Sequence, residues 1–240
     1  MAATAQARRL TEAHRLAQAR LGAATVRQMM AAWGLMTPDN LDASTERWLR
    51  TTMPIIAGQR VQSARLAANY VATFKALEIG TASVPVVLAE AVPAEQLVTS
   101  LTVTGPTAVK RHMRIDPTTA RAMEIGQSMS ARSAMRHVLD GGRDTITASV
   151  ERDSQALGWA RATSGRPCSF CAMIASRGPV YKGSTVKFQP HDGCACTAEP
   201  VYRSDAAWPA GSERFRDLWS DASRMDGDTT KNFRALVESA

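Results

Sequence analysis

Apolar residues recur along the first half of the chain at spacings of three and four, the period of helices that bury one face. Leu16, Ala19, Ala23, Val26, Met30 and Trp33 form the first such stripe, and Arg15, Arg20 and Arg27 fall away from it. Gly34 and Pro38 then stop that helix. Asp42 or Ser44 is placed to cap a second long helix running to about Leu77, with Leu66, Tyr70, Phe74 and Leu77 as its clearest stripe and Gly80 as its stop. Pro54 is expected to split off its first turn or two. Val84 to Leu88 is too short to classify, and Pro85 argues against a central strand.

Further along, Pro93 suits the first turn of a helix over about 93 to 103, and Gly105-Pro106 restarts the chain into another short one. Asp116-Pro117 opens a longer helix, with Asp116 as N-cap, that ends near Leu139. Asp140-Gly141-Gly142 reads as a break, followed by a last helical piece from Asp144 to Glu151.

Beyond about residue 152 the period changes. Leu157, Trp159, Arg161 and Thr163 alternate with Gly158, Ala160 and Ala162, as in a strand. Ser164-Gly165-Arg166-Pro167 then makes a turn toward Cys168, and Val180-Tyr181, Val186 to Phe188 and Pro200 to Tyr202 are candidate short strands. The chain therefore divides into a helical region over 1–152, a small module over 153–203, and a tail over 204–240 with helical pieces around Phe215, Leu218 and Trp219, and Phe233, Leu236 and Val237. The fold class expected is α+β.

Composition changes this picture in two respects. Apolar residues make up 45% of the 240 positions, enough for a sizeable core. The formal net charge of +7, carried almost wholly by arginine, points to an acidic partner such as nucleic acid or an acidic protein face, beside the plainer reading of a solvated basic surface. No secretory signal opens the chain, and no uncharged stretch approaches the roughly 20 residues needed to cross a bilayer, so a soluble protein made in a cytoplasm is expected.

All four cysteines lie close together, as Cys168-x-x-Cys171 and Cys194-x-Cys196, with His191 three residues ahead of Cys194. A two-residue spacer lets one tight turn present two thiolates to one ion, and thiolate with imidazole suits Zn2+. Cys168, Cys171, His191, Cys194 and Cys196 give five candidates for a four-coordinate ion; spacing leaves open which group stands aside, and the preferred set is Cys168, Cys171 and Cys196 with His191 or Cys194 as the fourth. Two other readings remain: disulfides between the two halves, and a catalytic pair with Cys168 or Cys171 as nucleophile and His191 as base. His14, His112 and His137 are scattered over predicted helices and carry little signal. Metalloprotease H-E-x-x-H, G-x-S-x-G and glycine-rich phosphate or dinucleotide motifs are all missing from the sequence.

The stretch from Pro167 through Cys168, Cys171 and Gly178, followed by His191-Asp192-Gly193-Cys194-Ala195-Cys196, resembles the MuF family of minor head proteins of tailed bacteriophages. That family's pattern is C-x-x-C, a variable gap, then H-x-x-C-x-C. Pro179-Val180-Tyr181 and Glu199-Pro200-Val201-Tyr202 look like its version in phages of actinobacteria, while Asp192 and Ala195 stand where the family often has proline and arginine. The resemblance implies a minor capsid protein of the virion, inside the head, that joins the portal with scaffold and major capsid protein during procapsid assembly. Some family members contact DNA, and related chains are often labelled capsid maturation protease, which gives the alternative activity. On this reading Arg161, Arg166, Arg177, Lys182 and Lys187 are candidates for unspecific phosphate contact.

Overall fold

The computed structural model describes residues 4–81, 83–115, 118–163, 166–181, 187–206 and 208–240. In chain order its elements are α1 (Ala5–Ala32), α2 (Leu41–Ile79), α3 (Ala94–Thr102), α4 (Ala108–Met113), α5 (Thr119–Arg152), β1 (Gly158–Ala162), α6 (Ser169–Ala175), β2 (Thr197–Val201), α7 (Glu213–Arg224) and α8 (Thr229–Ser239). The fold is α+β: helices dominate, and the two strands form one antiparallel sheet.

Helices α1, α2 and α5 pack along one another as a three-helix layer. Thr4 caps α1 by accepting the N–H of Ala7 at 3.1 Å, and Asn40, rather than Asp42 or Ser44, caps α2 by accepting that of Ala43. Gly80 ends α2 with φ 76°, the left-handed conformation that glycine adopts without steric penalty. Pro54 does not split α2. It sits on the exposed side, and Arg50, whose carbonyl loses its helical partner there, is exposed too, so water replaces the missing donor.

Two expectations about helices fail. The α1 stripe is right only at its end, where Val26 and Trp33 meet the core: Leu16 and Met30 are 40% and 48% exposed, and the buried face of the helix is Ala7, Thr11, His14, Gln18, Leu21, Gly22, Thr25 and Met29. Its polar members are partnered across the layer, Thr11 with the Tyr70 hydroxyl, Gln18 with Ser63 and Thr25 with Gln59. The Asp140-Gly141-Gly142 break is also absent, because α5 runs unbroken to Arg152. A Cβ on Gly141 would stand 2.5 Å from the carbonyl oxygen of Arg60, and one on Gly142 would meet Gln18 and Ser63 at 2.6 and 2.9 Å. These glycines let α5 touch α2 and α1, which outweighs their weak helix propensity. Gly105-Pro106 likewise makes a π-helical turn, Val103–Thr107, between α3 and α4 rather than a fresh start. Asp116, the expected N-cap of α5, lies outside the described residues, as do Ser164, Gly165, Lys182 and Val186.

The sheet pairs Gly158 with Val201 through Ala162 with Thr197. All ten strand residues are buried, so the sequence alternation does not mark a wet face. Trp159 and Ala198 join Tyr70, Phe74, Ile146 and Val150 in one apolar cluster that fuses sheet and helices. Tyr181 extends the sheet by a single bridge to Trp159. At this seam Lys75 and Asp153 form a buried ion pair at 2.7 Å, and the Tyr202 hydroxyl donates to the same carboxylate. The last two helices form a hairpin whose Phe215, Ala222 and Phe233 pack on Ala172 and Ala175 of α6.

Two buried groups on facing elements titrate against folding. Burial pushes Glu199 of β2 up to about 7 from 4.5 and His14 of α1 down to about 4 from 6.5. The Glu199 contribution is complete below about pH 4.5 and is lost as pH rises to 7; the His14 contribution is complete above 6.5 and is lost as pH falls to 4. The two slopes oppose each other in wild type. In Glu199→Gln, urea-unfolding stability is expected to rise more steeply with pH between those limits. Gly141→Ala is expected to lose about 1–3 kcal/mol, since backbone lies on both sides of the contact. Gly58→Ala, whose Cβ would meet nothing within 4 Å, is expected to gain about 0.5–1 kcal/mol in the same measurement.

Candidate metal centre

Pairing of β1 with β2 brings the two cysteine motifs together. β1 ends at Ala162, six residues before Cys168, and its partner Thr197 directly follows Cys196. Cys168 is the N-cap of α6 and its Sγ accepts the N–H of Cys171 at 3.4 Å, so both thiols sit at the start of one helix. On the other side His191 to Cys194 makes a turn closed by Cys194 N–H donating to the His191 carbonyl at 3.0 Å, with Gly193 at φ 81°.

The five candidate donors form two trios that share Cys171. In one, Cys168, Cys171 and His191 have ligand atoms within 4.8 Å of one another; in the other, Cys171, Cys194 and Cys196 do. All four thiols are free. Cys171 Sγ is 3.6 Å from Cys194 Sγ and 3.7 Å from His191 Nε2. Donors around a tetrahedral zinc ion stand about 3.6–3.8 Å apart, given bond lengths of about 2.3 Å to sulfur and 2.0–2.1 Å to nitrogen. Each trio by itself could therefore hold a thiophilic divalent ion, and Cys171 is the donor the two share. The His191 ring faces the thiols through Nε2 while Nδ1 lies 3.0 Å from the Asp192 carbonyl, the backbone partner that fixes the tautomer of many ligating histidines.

Crowding of thiols shifts their protonation. Hydrogen bonds from Cys171 and Cys196 hold Cys194 far below the ordinary thiol range, against burial and with help from Arg143. Bonding to Cys194 and Cys196 together with burial holds Cys171 far above it. Cys196 is pushed up to about 12, because its lowering contact with Cys171 is outweighed by Cys194 and by burial. The neutral thiol is thus favoured at Cys171 and Cys196, and a bound cation would favour their ionised form.

Two buried arginines brace the cluster, and the sequence did not single them out for this. Arg143 of α5, 2% exposed, donates from Nη2 to the Cys194 carbonyl at 2.6 Å, from Nε to that of Cys196 at 3.0 Å, and from Nη1 to Asp140. Arg161 of β1, also 2% exposed, stacks on Phe188 with its guanidinium carbon 3.9 Å from the ring centre. It donates to the Gln189 carbonyl and, at 3.7 Å, to Cys171 Sγ. Arg161 therefore faces the metal centre and not a DNA surface; Arg166, Arg177 and Lys187 remain exposed. The only available signal for Arg161 was a charge set between small residues in a predicted strand. Arg136 and Arg132 dock the turn from outside, on the Asp192 carboxylate and carbonyl. His14 and His137 are buried in the helical layer, and no histidine but His191 joins a metal-capable group among the described residues.

The VG15 protein family matches residues 1–222 of the chain. A protein described as Gene 15 protein, from Mycobacterium phage D29, is 31% identical over a match covering 38% of this chain and 46% of that relative. The match thus spans about half the length of the curated relative. No solved structure matches the chain. Among the described residues no helix is long and apolar enough to cross a membrane.

Replacing Arg143 strands the buried carbonyls of Cys194 and Cys196 and leaves Asp140 with Arg136 alone, at 3.7 Å. Arg143→Met is expected to destabilise by about 3–5 kcal/mol, read by urea unfolding. Arg143→Lys should recover only a minor part, since one ammonium cannot reproduce the planar fork that spans both carbonyls.

Proposed function

Because this chain belongs to the VG15 protein family, a phage family by its relative in phage D29, we propose that it is a minor structural protein of the bacteriophage head. On this reading it works in head morphogenesis, at the portal and among scaffold and major capsid protein, with its distal module closed by Zn2+. The observation that carries the metal reading is the meeting of Cys168-x-x-Cys171 with His191-x-x-Cys194-x-Cys196 at Cys171, in the order of the MuF pattern. A knot of this kind suits a particle component, since a module of some fifty residues with two short strands among its described residues gains rigidity from a bound ion. Exposed Arg166, Arg177 and Lys187 leave unspecific contact with packaged DNA as part of the proposal.

The close approach of Cys168 Sγ to His191 Nε2, 3.0 Å, also supports a second reading, a thiol–imidazole pair of a capsid maturation protease. Metal dependence separates the two. Protein purified under reducing conditions is expected to carry about one zinc per chain, and chelation should lower its melting temperature. A thiol protease would instead cleave capsid or scaffold protein on co-expression, gain from chelation, and lose cleavage in Cys168→Ser. Metal loading should release a proton from each of Cys171 and Cys196, the two thiols held above their ordinary range, so affinity should fall steeply as pH falls. Calorimetric titration in two buffers of different ionisation heat measures that release. Mass spectrometry of procapsids and mature heads tests the assignment to the particle; its absence from both would refute it.

A further inference from the structure

Helix α1 is built unlike an ordinary surface helix. Its buried face includes Thr11, His14, Gln18 and Thr25, whereas Leu16 and Met30 stand outside at 40% and 48% exposed, with Ala13 and Ala23 exposed beside them. Single apolar residues on a surface are common and mean little. These recur in register. Arg9, Ala13, Leu16, Arg20, Ala23, Arg27 and Met30 follow one another at steps of four and three, all are exposed, and the row lies opposite the buried face. It covers about 32 Å of helix axis.

That spacing is the one by which a helix meets a neighbouring helix. One line of the seam is Arg9, Leu16, Ala23 and Met30, and the other is Ala13, Arg20 and Arg27. Helices α2 and α5 occupy the other side of α1, and Thr4 caps its start. The outer face is therefore preformed, and docking on it needs no ordering of α1.

Charge decides what fits there. Glu12 is the one acidic residue of α1, and its carboxylate is bound to Arg15. No acidic group pairs with Arg9, Arg20 or Arg27 among the described residues. A second copy docked by the same face would set Arg20 and Arg27 against their own equivalents with no carboxylate between them, because a twofold contact repeats one patch on both sides. Nucleic acid would engage the arginines through phosphate and leave Leu16, Ala23 and Met30 without a partner.

We propose that the outer face of α1 is a docking site for an acidic amphipathic helix of another protein, with apolar side chains over Leu16, Ala23 and Met30 and carboxylates one heptad apart over Arg20 and Arg27. Apolar burial supplies affinity, and the two arginines set register and direction. The site lies on α1 alone and depends neither on the metal nor on the assignment to the head.

The test uses the full chain and a synthetic peptide of about four heptads, long enough to be helical in water, with Leu and Ala along its seam and Glu at every seventh position. Binding is read by fluorescence anisotropy, against a scrambled peptide of equal composition, a peptide with Lys in place of Glu, and duplex DNA. Wild type is expected to bind the Glu peptide at least about tenfold more tightly than the scrambled one. The double variant Arg20→Glu, Arg27→Glu should lose about tenfold for the Glu peptide and gain binding to the Lys peptide; Leu16→Ser, Met30→Ser should lose about tenfold for the Glu peptide. All four side chains are exposed, so circular dichroism should show unchanged helix content; Arg27→Ala and Met30→Gln replace any double variant that unfolds. Equal binding of the Glu and scrambled peptides, or binding that both double variants leave unchanged, would overturn the proposal. So would DNA binding through these arginines by a protein that ignores the Glu peptide, or a wild-type dimer that Leu16→Ser, Met30→Ser dissolves.

Discussion

The structure depends on a three-residue stretch in the middle of α5, Gly141-Gly142-Arg143. The two glycines remove the side chains that would hold α5 away from Arg60 of α2 and from Gln18 of α1, so the helical layer closes at van der Waals distance. The next residue turns that proximity outward. Arg143 leaves the layer and bonds the carbonyls of Cys194 and Cys196. One short segment therefore both seals the helices and positions the loop that carries Cys194 and Cys196. A bulkier residue at either glycine would shift the arginine that the loop depends on.

Charge follows the same geometry. Thiolates gathered around a divalent ion carry net negative charge in a poorly solvated place, and isolated buried charge is expensive. Arg143 and Arg161 place two cations against that region; Arg143 gives its third donor to Asp140, and Arg161 donates to the Gln189 carbonyl while its Nε is buried without a partner. The Phe188 ring is close to both guanidinium groups, 5.3 Å from that of Arg143 and 3.9 Å from that of Arg161. The cysteines are thus set in a matrix that anticipates their ionised form.

Much of this was legible in the sequence, and the failures have physical causes. The stripe from Leu66 to Leu77 and the stop at Gly80 were readable because apolar periodicity and a left-handed cap are local properties. The buried side of α1 was not, because it is built from threonine, glutamine and histidine that become compatible with burial only through partners on α2. Gly141-Gly142 resembles a break to any local rule, and its use as a contact point is visible only with α2 in place. Clustering of Cys168, Cys171, His191, Cys194 and Cys196 was plain from spacing. The arginines behind them were not, since a basic residue reads as surface unless the fold shows what it covers.

The seven-residue helix α6 has a double duty. Its first turn presents Cys168 and Cys171, and one turn further along the same face Ala172 and Ala175 support the α7–α8 hairpin. The end of the chain and the thiol cluster therefore share one support two helical turns long, so a displaced hairpin would also displace the thiols.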